Sequence, residues 1–212
     1  MRTIYLTKDN QSEVIAEAAE VLKRDGSIAY PTDTVYGLGA NPFDDFAVRR
    51  LFRVKKRPAS KPVPLMVSSI AMAKKLAHID SQKEEFLRSI WPGAVSVILY
   101  KRRMISSFIS ANTETVALRI PDSKFCMSLI RAFNSPITAT SANVSGEDPV
   151  SNPQEIKKRF EREAFKPDLI IDGGVLKSKR PSTVIDLTHE VPKVTRVGPV
   201  SPKDLAKILK MQ

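Results

Sequence analysis

Short apolar or alternating runs, each closed by Pro, Gly or a polar turn, are interleaved along this chain with segments whose apolar residues recur at helical spacing, and that alternation decides the fold class. Val14, Ile15, Ala18, Val21 and Leu22 share one helical face between a box-like start at Asn10 and Glu13 and a stop at Gly26. Ser27–Tyr30 follows as a buried strand, ended where Pro31 removes an amide donor. A second helix, capped by Asp44 or Asp45, turns Ala47, Val48, Leu51 and Phe52 inward and Arg49, Arg50 and Arg53 outward before Pro58 stops it. Strands are expected at 64–67, 94–100, 115–120, 137–140, 169–172, 183–187 and 193–197. Helices are expected at 70–77, 82–90 and 124–133, from Pro153, and from Ser201-Pro202. Interleaving of this kind makes an α/β protein, and several connections are too short for parallel crossovers, so the sheet is mixed. With 212 residues, no repeat and no low-complexity linker, the expectation is a single domain over 1–212, a twisted mixed β-sheet flanked by helices.

No apolar run approaches the roughly 20 residues of a membrane span, and MRTIYLTKDNQ lacks the apolar core of a secretory signal; the expected compartment is cytoplasmic, with no membrane partner. Cys126, His78 and His189 allow no internal disulfide and fall short of a four-ligand structural zinc site. Cys126 reads as a buried structural thiol, and both histidines as surface residues. A net charge of +11 favours anionic partners such as nucleotides or RNA, although charge on this scale also serves solubility or ion-pair-rich surfaces.

The stretch from Tyr30 to Pro62 carries most of the chemistry. Thr32, Asp33 and Thr34 directly follow a strand, where open α/β sheets place ligands; the same turn is also ordinary structural punctuation. Gly37 and Gly39 let the backbone approach a ligand closely or take positive φ. Neither a GxxxxGK[ST] loop nor a helix-opening GxGxxG is present. Lys55, Lys56 and Arg57 either complement the negative end of a helix dipole or clamp an anion, with Arg57 bidentate, Lys55 a point charge and Lys61 on a proline-stiffened loop. TSANVSG, residues 140–146, packs hydroxyls and an amide into a strand-to-loop transition, as an Asx/ST turn or as a set of neutral ligand donors. Arg119, inside an alternating strand, needs either a carboxylate ligand or a neighbouring Asp. Without GxSxG, HExxH or a Cys/His neighbourhood, an enzyme built from these residues works by positioning and charge stabilisation, as phosphoryl and nucleotidyl transfer do.

In order, PTDTVYGLGAN, KKRPASKP, RIP at Arg119–Pro121, TSANVSG, STVID at Ser182–Asp186 and RVG at Arg196–Gly198 resemble the YrdC-like L-threonylcarbamoyladenylate synthase family, over roughly residues 5 to 200. The resemblance implies a concave positive cavity in a YrdC-like sheet and the short, single-domain form of the family. It implies a nucleotidyltransferase that makes threonylcarbamoyl-AMP and pyrophosphate from L-threonine, bicarbonate or carbon dioxide, and ATP, for threonylcarbamoyladenosine modification of tRNA. By the same resemblance Lys55 and Arg57 are catalytic, and Thr34, Arg119, Ser141 and Ser182 bind threonine. Lys55, Arg57, Lys61, Thr115, Asn143, Ser151 and Arg196 are implied to bind ATP. Magnesium is expected to ride on the ATP phosphates with no protein ligand. Downstream threonylcarbamoyl transferase proteins, and tRNA or double-stranded RNA, are the implied macromolecular partners.

Two departures stand out. Met66 occupies the place where some longer members carry a His after the cationic loop, and TSANVSG continues as EDPVSNP where the family often has a Ser-Pro pair. The alternative reading is a double-stranded-RNA- or tRNA-binding paralogue without synthase activity. Such paralogues tend to lose the Lys-x-Arg or Ser-x-Asn pair, and this chain keeps both, at Lys55/Arg57 and Ser141/Asn143. The KSKRP loop, within residues 176–181, is the expected mobile segment.

Overall fold

A computed structural model describes residues 1–209; residues 210–212 of the expected single domain lie outside the described residues. The chain begins β1 (Arg2–Tyr5), α1 (Gln11–Lys23), β2 (Ile28–Tyr30), β3 (Gly37–Gly39), α2 (Asp45–Lys55) and β4 (Leu65–Met66). It continues α3 (Ile70–Leu76), α4 (Ser81–Ile90), β5 (Val95–Tyr100), α5 (Ser107–Ser110), β6 (Thr115–Arg119) and α6 (Lys124–Phe133). It closes with β7 (Ile137–Thr138), β8 (Thr140–Ser141), α7 (Pro153–Glu161), β9 (Leu169–Asp172), β10 (Thr183–Asp186), β11 (Lys193–Arg196) and α8 (Pro202–Leu209).

The α/β class holds, and the mixed pairing is divided between two sheets. A five-stranded sheet has the order β1-β9-β2-β3-β8, and a six-stranded sheet the order β11-β10-β5-β6-β4-β7. Each combines parallel and antiparallel pairs. The expected strand at 137–140 is where the two meet. Its first half, β7, pairs with β4 in one sheet, and after Ala139 its second half, β8, pairs with β3 in the other. Helices α1 and α6 pack Val14, Ala18, Leu22, Leu129 and Ile130 against Ile28, Tyr30, Leu169 and Ile171. Alternate residues of the same strands, Ala29 and Ile170, join a larger core with Leu51 of α2, Leu87 of α4 and Val97 of β5. No helix among the described residues is long and apolar enough to cross a membrane.

Local chemistry explains most boundaries. Asp44, rather than Asp45, caps α2 by accepting from the Ala47 amide at 2.8 Å. Asn10 does not cap α1: its Oδ1 accepts from Thr7 N and its Nδ2 donates to the Tyr5 carbonyl, both at 2.8 Å, so the box-like signal stabilises the preceding turn instead. Three elements lack a clear signal in the sequence. β1 is a short edge strand with a largely exposed burial pattern, α5 is a single turn, and β3 reads Gly-Leu-Gly. Gly37 and Gly39 are extended, not at positive φ. A Cβ at Gly37 would lie 2.7 Å from Tyr30 Cζ, and one at Gly39 would lie 2.9 Å from Tyr30 Cε1. The glycines therefore make room for the buried Tyr30 ring across the β2–β3 pair.

Candidate active site

Alternation in the six-stranded sheet decides which side chains face a ligand. Val95, Val97, Leu99, Val116, Leu118 and Ile185 enter the core, while Ser96, Ala117, Arg119 and Val184 line a cavity of about 280 Å³. Thr34 and Gly37 close the cavity from the 32–37 segment, Thr140 and Ser141 from β8, and Arg57, Ser182 and Arg196 from the remaining sides. Among the described residues, three arginines thus face the space and no carboxylate lines it.

Arg119 is the best-fixed of the three, at 4% exposure. Its Nε donates to the Gly93 carbonyl at 2.8 Å, Nη1 to Thr34 Oγ1 at 2.9 Å and Nη2 to Asp33 Oδ2 at 2.5 Å. The neighbouring Asp required for a buried cation is therefore Asp33, and each terminal nitrogen keeps a second N–H. Burial holds the guanidinium below its ordinary range, with the Asp33 charge opposing. Thr34 is itself set by the turn: Thr32 Oγ1 accepts from the Thr34 amide at 3.0 Å and donates to the Val35 carbonyl at 2.7 Å.

On the opposite wall Arg196 reaches across the β10–β11 pair. Its Nε donates to the Ser182 carbonyl at 2.9 Å and its Nη2 to Ser182 Oγ at 3.1 Å. Burial first and the Arg119 charge second push its pKa down, so the two cations feel each other across the cavity. Arg57, half-buried, is held by the carbonyls of Lys61 and Pro62 at 3.1 and 2.6 Å, with Thr140 Oγ1 3.5 Å from Nη1.

Lys55 does not line the cavity. Its ammonium is 3% exposed behind the 141–143 turn, donating to the carbonyls of Ser141 (2.6 Å) and Asn143 (3.0 Å) and to Asn143 Oδ1 (3.0 Å). Desolvation, then the Arg57 charge, pulls its pKa down to about 7 against the Glu147 charge. Asn143 is equally engaged, since its Nδ2 donates to the carbonyls of Val144 and Glu147 at 3.0 and 2.6 Å. Of the remaining candidates, Thr34, Arg57, Arg119, Ser141, Ser182 and Arg196 line one cavity, whereas Lys61, Thr115 and Ser151 do not. Lys61 is exposed on the adjoining arm, Thr115 is half-buried at the far end of β6, and Ser151 offers its carbonyl to the Leu176 amide at 2.9 Å. Pro181 brings the 176–181 loop to the cavity wall. Met66 stands in the wall where an imidazole would be polar, accepting a weak contact from Tyr30 OH at 3.5 Å.

Sequence reasoning passed over Ser96, which is on the wall, while Thr140, also on the wall, belongs to the 140–146 donor set. Ser96 was legible as the one small polar residue in the apolar run Ala94–Tyr100, at the alternate position to Val95 and Val97. Among the described residues no group of three or more His, Cys, Asp or Glu side chains is placed to hold a metal ion.

Residues 20–198 match the family model Sua5_yciO_yrdC, described as "Telomere recombination". The chain belongs to the Sua5/YciO/YrdC family. A family member from Pyrococcus abyssi (strain GE5 / Orsay), named threonylcarbamoyl-AMP synthase, is 35% identical over 91% of this chain and 56% of its own length. This chain therefore spans little more than half of that relative. The solved structure of P. abyssi Sua5 complexed with L-threonine superposes with a TM-score of 0.90 at 32% identity, over 98% of this chain and 60% of that one. The crystal structure of E. coli YciO superposes with a TM-score of 0.84 at 30% identity, over 96% of this chain and 97% of that one. The Sua5/YciO/YrdC fold is thus present over nearly the whole described chain.

Proposed function

We propose that this chain is an L-threonylcarbamoyladenylate synthase, joining L-threonine, carbon dioxide from bicarbonate, and ATP into threonylcarbamoyl-AMP and pyrophosphate in the cytoplasm. The observation that carries the reading is Arg119: a fixed, buried guanidinium with two N–H groups left over, beside Thr34 and Ser141, at the floor of a cavity with two further arginines. Support comes also from the relative solved with L-threonine.

In this reading Arg119 clamps the threonine carboxylate and Thr34, Ser141 and Ser182 surround the amino acid. The amine nitrogen attacks carbon dioxide and loses a proton, giving a carbamate. A carbamate oxygen then attacks the α-phosphorus in line, and the bond to the bridging oxygen breaks as pyrophosphate leaves. Arg57 and Arg196 meet the phosphates, with Lys61 reaching in from the arm and Thr115, Asn143 and Ser151 on the nucleotide side. Lys55 acts through the 141–143 turn, whose carbonyls it gathers. Magnesium would be carried by the ATP phosphates that Arg57 and Arg196 face and would offset charge on the leaving pyrophosphate, in keeping with a lining of arginines and hydroxyls rather than carboxylates. The adenylate then passes to a threonylcarbamoyl transferase acting on tRNA.

A second reading, an RNA-binding protein without synthase activity, draws on the net charge of +11. Pyrophosphate release from ATP and bicarbonate decides between them. We expect release only when L-threonine is added, and loss of at least about a hundredfold in Arg57→Ala, the scale of removing one transition-state charge contact. Release without threonine dependence, or none from the folded protein, would reject the synthase.

A further inference from the structure

The floor of the cavity holds a row of polar groups that runs across three strands. Val184 of β10 is paired with Ser96 of β5, and Ile98 and Val97 of β5 are paired with Ala117 and Leu118 of β6. One residue beyond the last pair, Ser96 stands beside Arg119, so the register places Arg196, Val184, Ser96 and Arg119 in one row, with Ser182, just before β10, reaching Ser96 from the side. Ser96 Oγ and Ser182 Oγ are 2.8 Å apart, and both residues are buried, at 5% and 6% exposure. Two hydroxyls thus lie between two cations.

The hydroxyl pair has one proton to spare. The pair has two hydroxyl protons, and the Oγ···Oγ hydrogen bond uses one. Either hydroxyl can donate in the Oγ···Oγ bond; Arg196 Nη2 donates to Ser182 Oγ, which favours Ser182 as that donor. With that direction Ser96 is the end of a chain running from Arg196 through Ser182, and its own proton is left for a ligand in the cavity that it lines with Arg119.

We propose that Ser96 is a substrate-binding residue that donates this hydroxyl proton to an oxyanion of the amino-acid substrate, the same carboxylate that Arg119 clamps. The assignment rests on the synthase reading above. A carboxylate seated there receives N–H from Arg119 on one side and O–H from Ser96 on the other, and its charge is matched by both flanking arginines.

The test measures binding of L-threonine and of L-2-aminobutyrate, which lacks the side-chain hydroxyl, by calorimetry, together with KM and kcat for threonine-dependent pyrophosphate release. Ser96→Ala is expected to weaken binding of both amino acids about tenfold and to raise the threonine KM by a similar factor, with the ATP KM within about twofold. Ser96→Thr, which keeps the hydroxyl, should restore threonine binding to within about threefold of wild type. Unchanged threonine binding in Ser96→Ala, with wild type binding normally, overturns the Ser96 assignment alone. A loss confined to threonine moves Ser96 to the side-chain hydroxyl and overturns the oxyanion assignment. A wild-type protein that binds neither amino acid removes the synthase reading and this one with it.

Discussion

Lys55 carries its amine among oxygens at the end of α2, with the Ser141 and Asn143 carbonyls and Asn143 Oδ1 within 3.0 Å. Its pKa in the folded protein, about 7, lies below the ordinary value of 10.5. Between those values the unfolded chain binds more protons than the folded one, so this residue's contribution makes stability rise as pH rises from about 7 toward 10.5. Denaturant unfolding of wild type should therefore carry a slope of up to about 1.4 kcal/mol per pH unit in that window that Lys55→Met lacks. Parallel profiles for the two proteins would show that Lys55 keeps its proton throughout. The Lys-x-Arg spacing was visible in the sequence, but which of the two faces a ligand was not. That depends on the left-handed turn at Lys56, φ 48°, which separates the directions of Lys55 and Arg57.

At the level of elements, β3 shows how a strand can be written in glycine. Tyr30 is fully buried and its hydroxyl donates to the Thr138 carbonyl at 3.1 Å, so its ring cannot retreat from an added side chain. Gly39→Ala would place a methyl 2.9 Å from Tyr30 Cε1 and 3.2 Å from Ile28 Cγ1. We expect a loss of about 1–3 kcal/mol in chemical denaturation, as for other overpacked cores. A change under about 0.5 kcal/mol would mean that the ring is not what fixes glycine there. Helices and long strands were legible because their periodicity is local, as in the apolar face of α1 and the run of β5. The strand identity of Gly37–Gly39 was not, because its cause is a tyrosine in the neighbouring strand.

For the whole molecule, the division into two sheets follows from pairings far apart in sequence, such as β1 with β9 and β5 with β10. No local pattern reports these. The cavity residues were gathered from separate motifs only by the family resemblance, and the cross-strand row from Arg196 to Arg119 became visible only with the strand order. The Trp91-Pro92-Gly93 turn has its own consequence at this scale. Trp91 is the only tryptophan in the chain, 6% exposed, with its indole N–H donating to the Val95 carbonyl at 2.7 Å. Two residues on, the Gly93 carbonyl receives Arg119 Nε. Emission excited at the indole band therefore comes from one fluorophore on the same turn that holds Arg119. Titrating L-threonine should give a saturable emission change whose midpoint equals the calorimetric dissociation constant, and Arg119→Ala should give a flat trace; a flat trace from wild type at calorimetric saturation would uncouple the turn from the site. With that response the protein would carry a built-in optical gauge of its own cavity, with no label to attach.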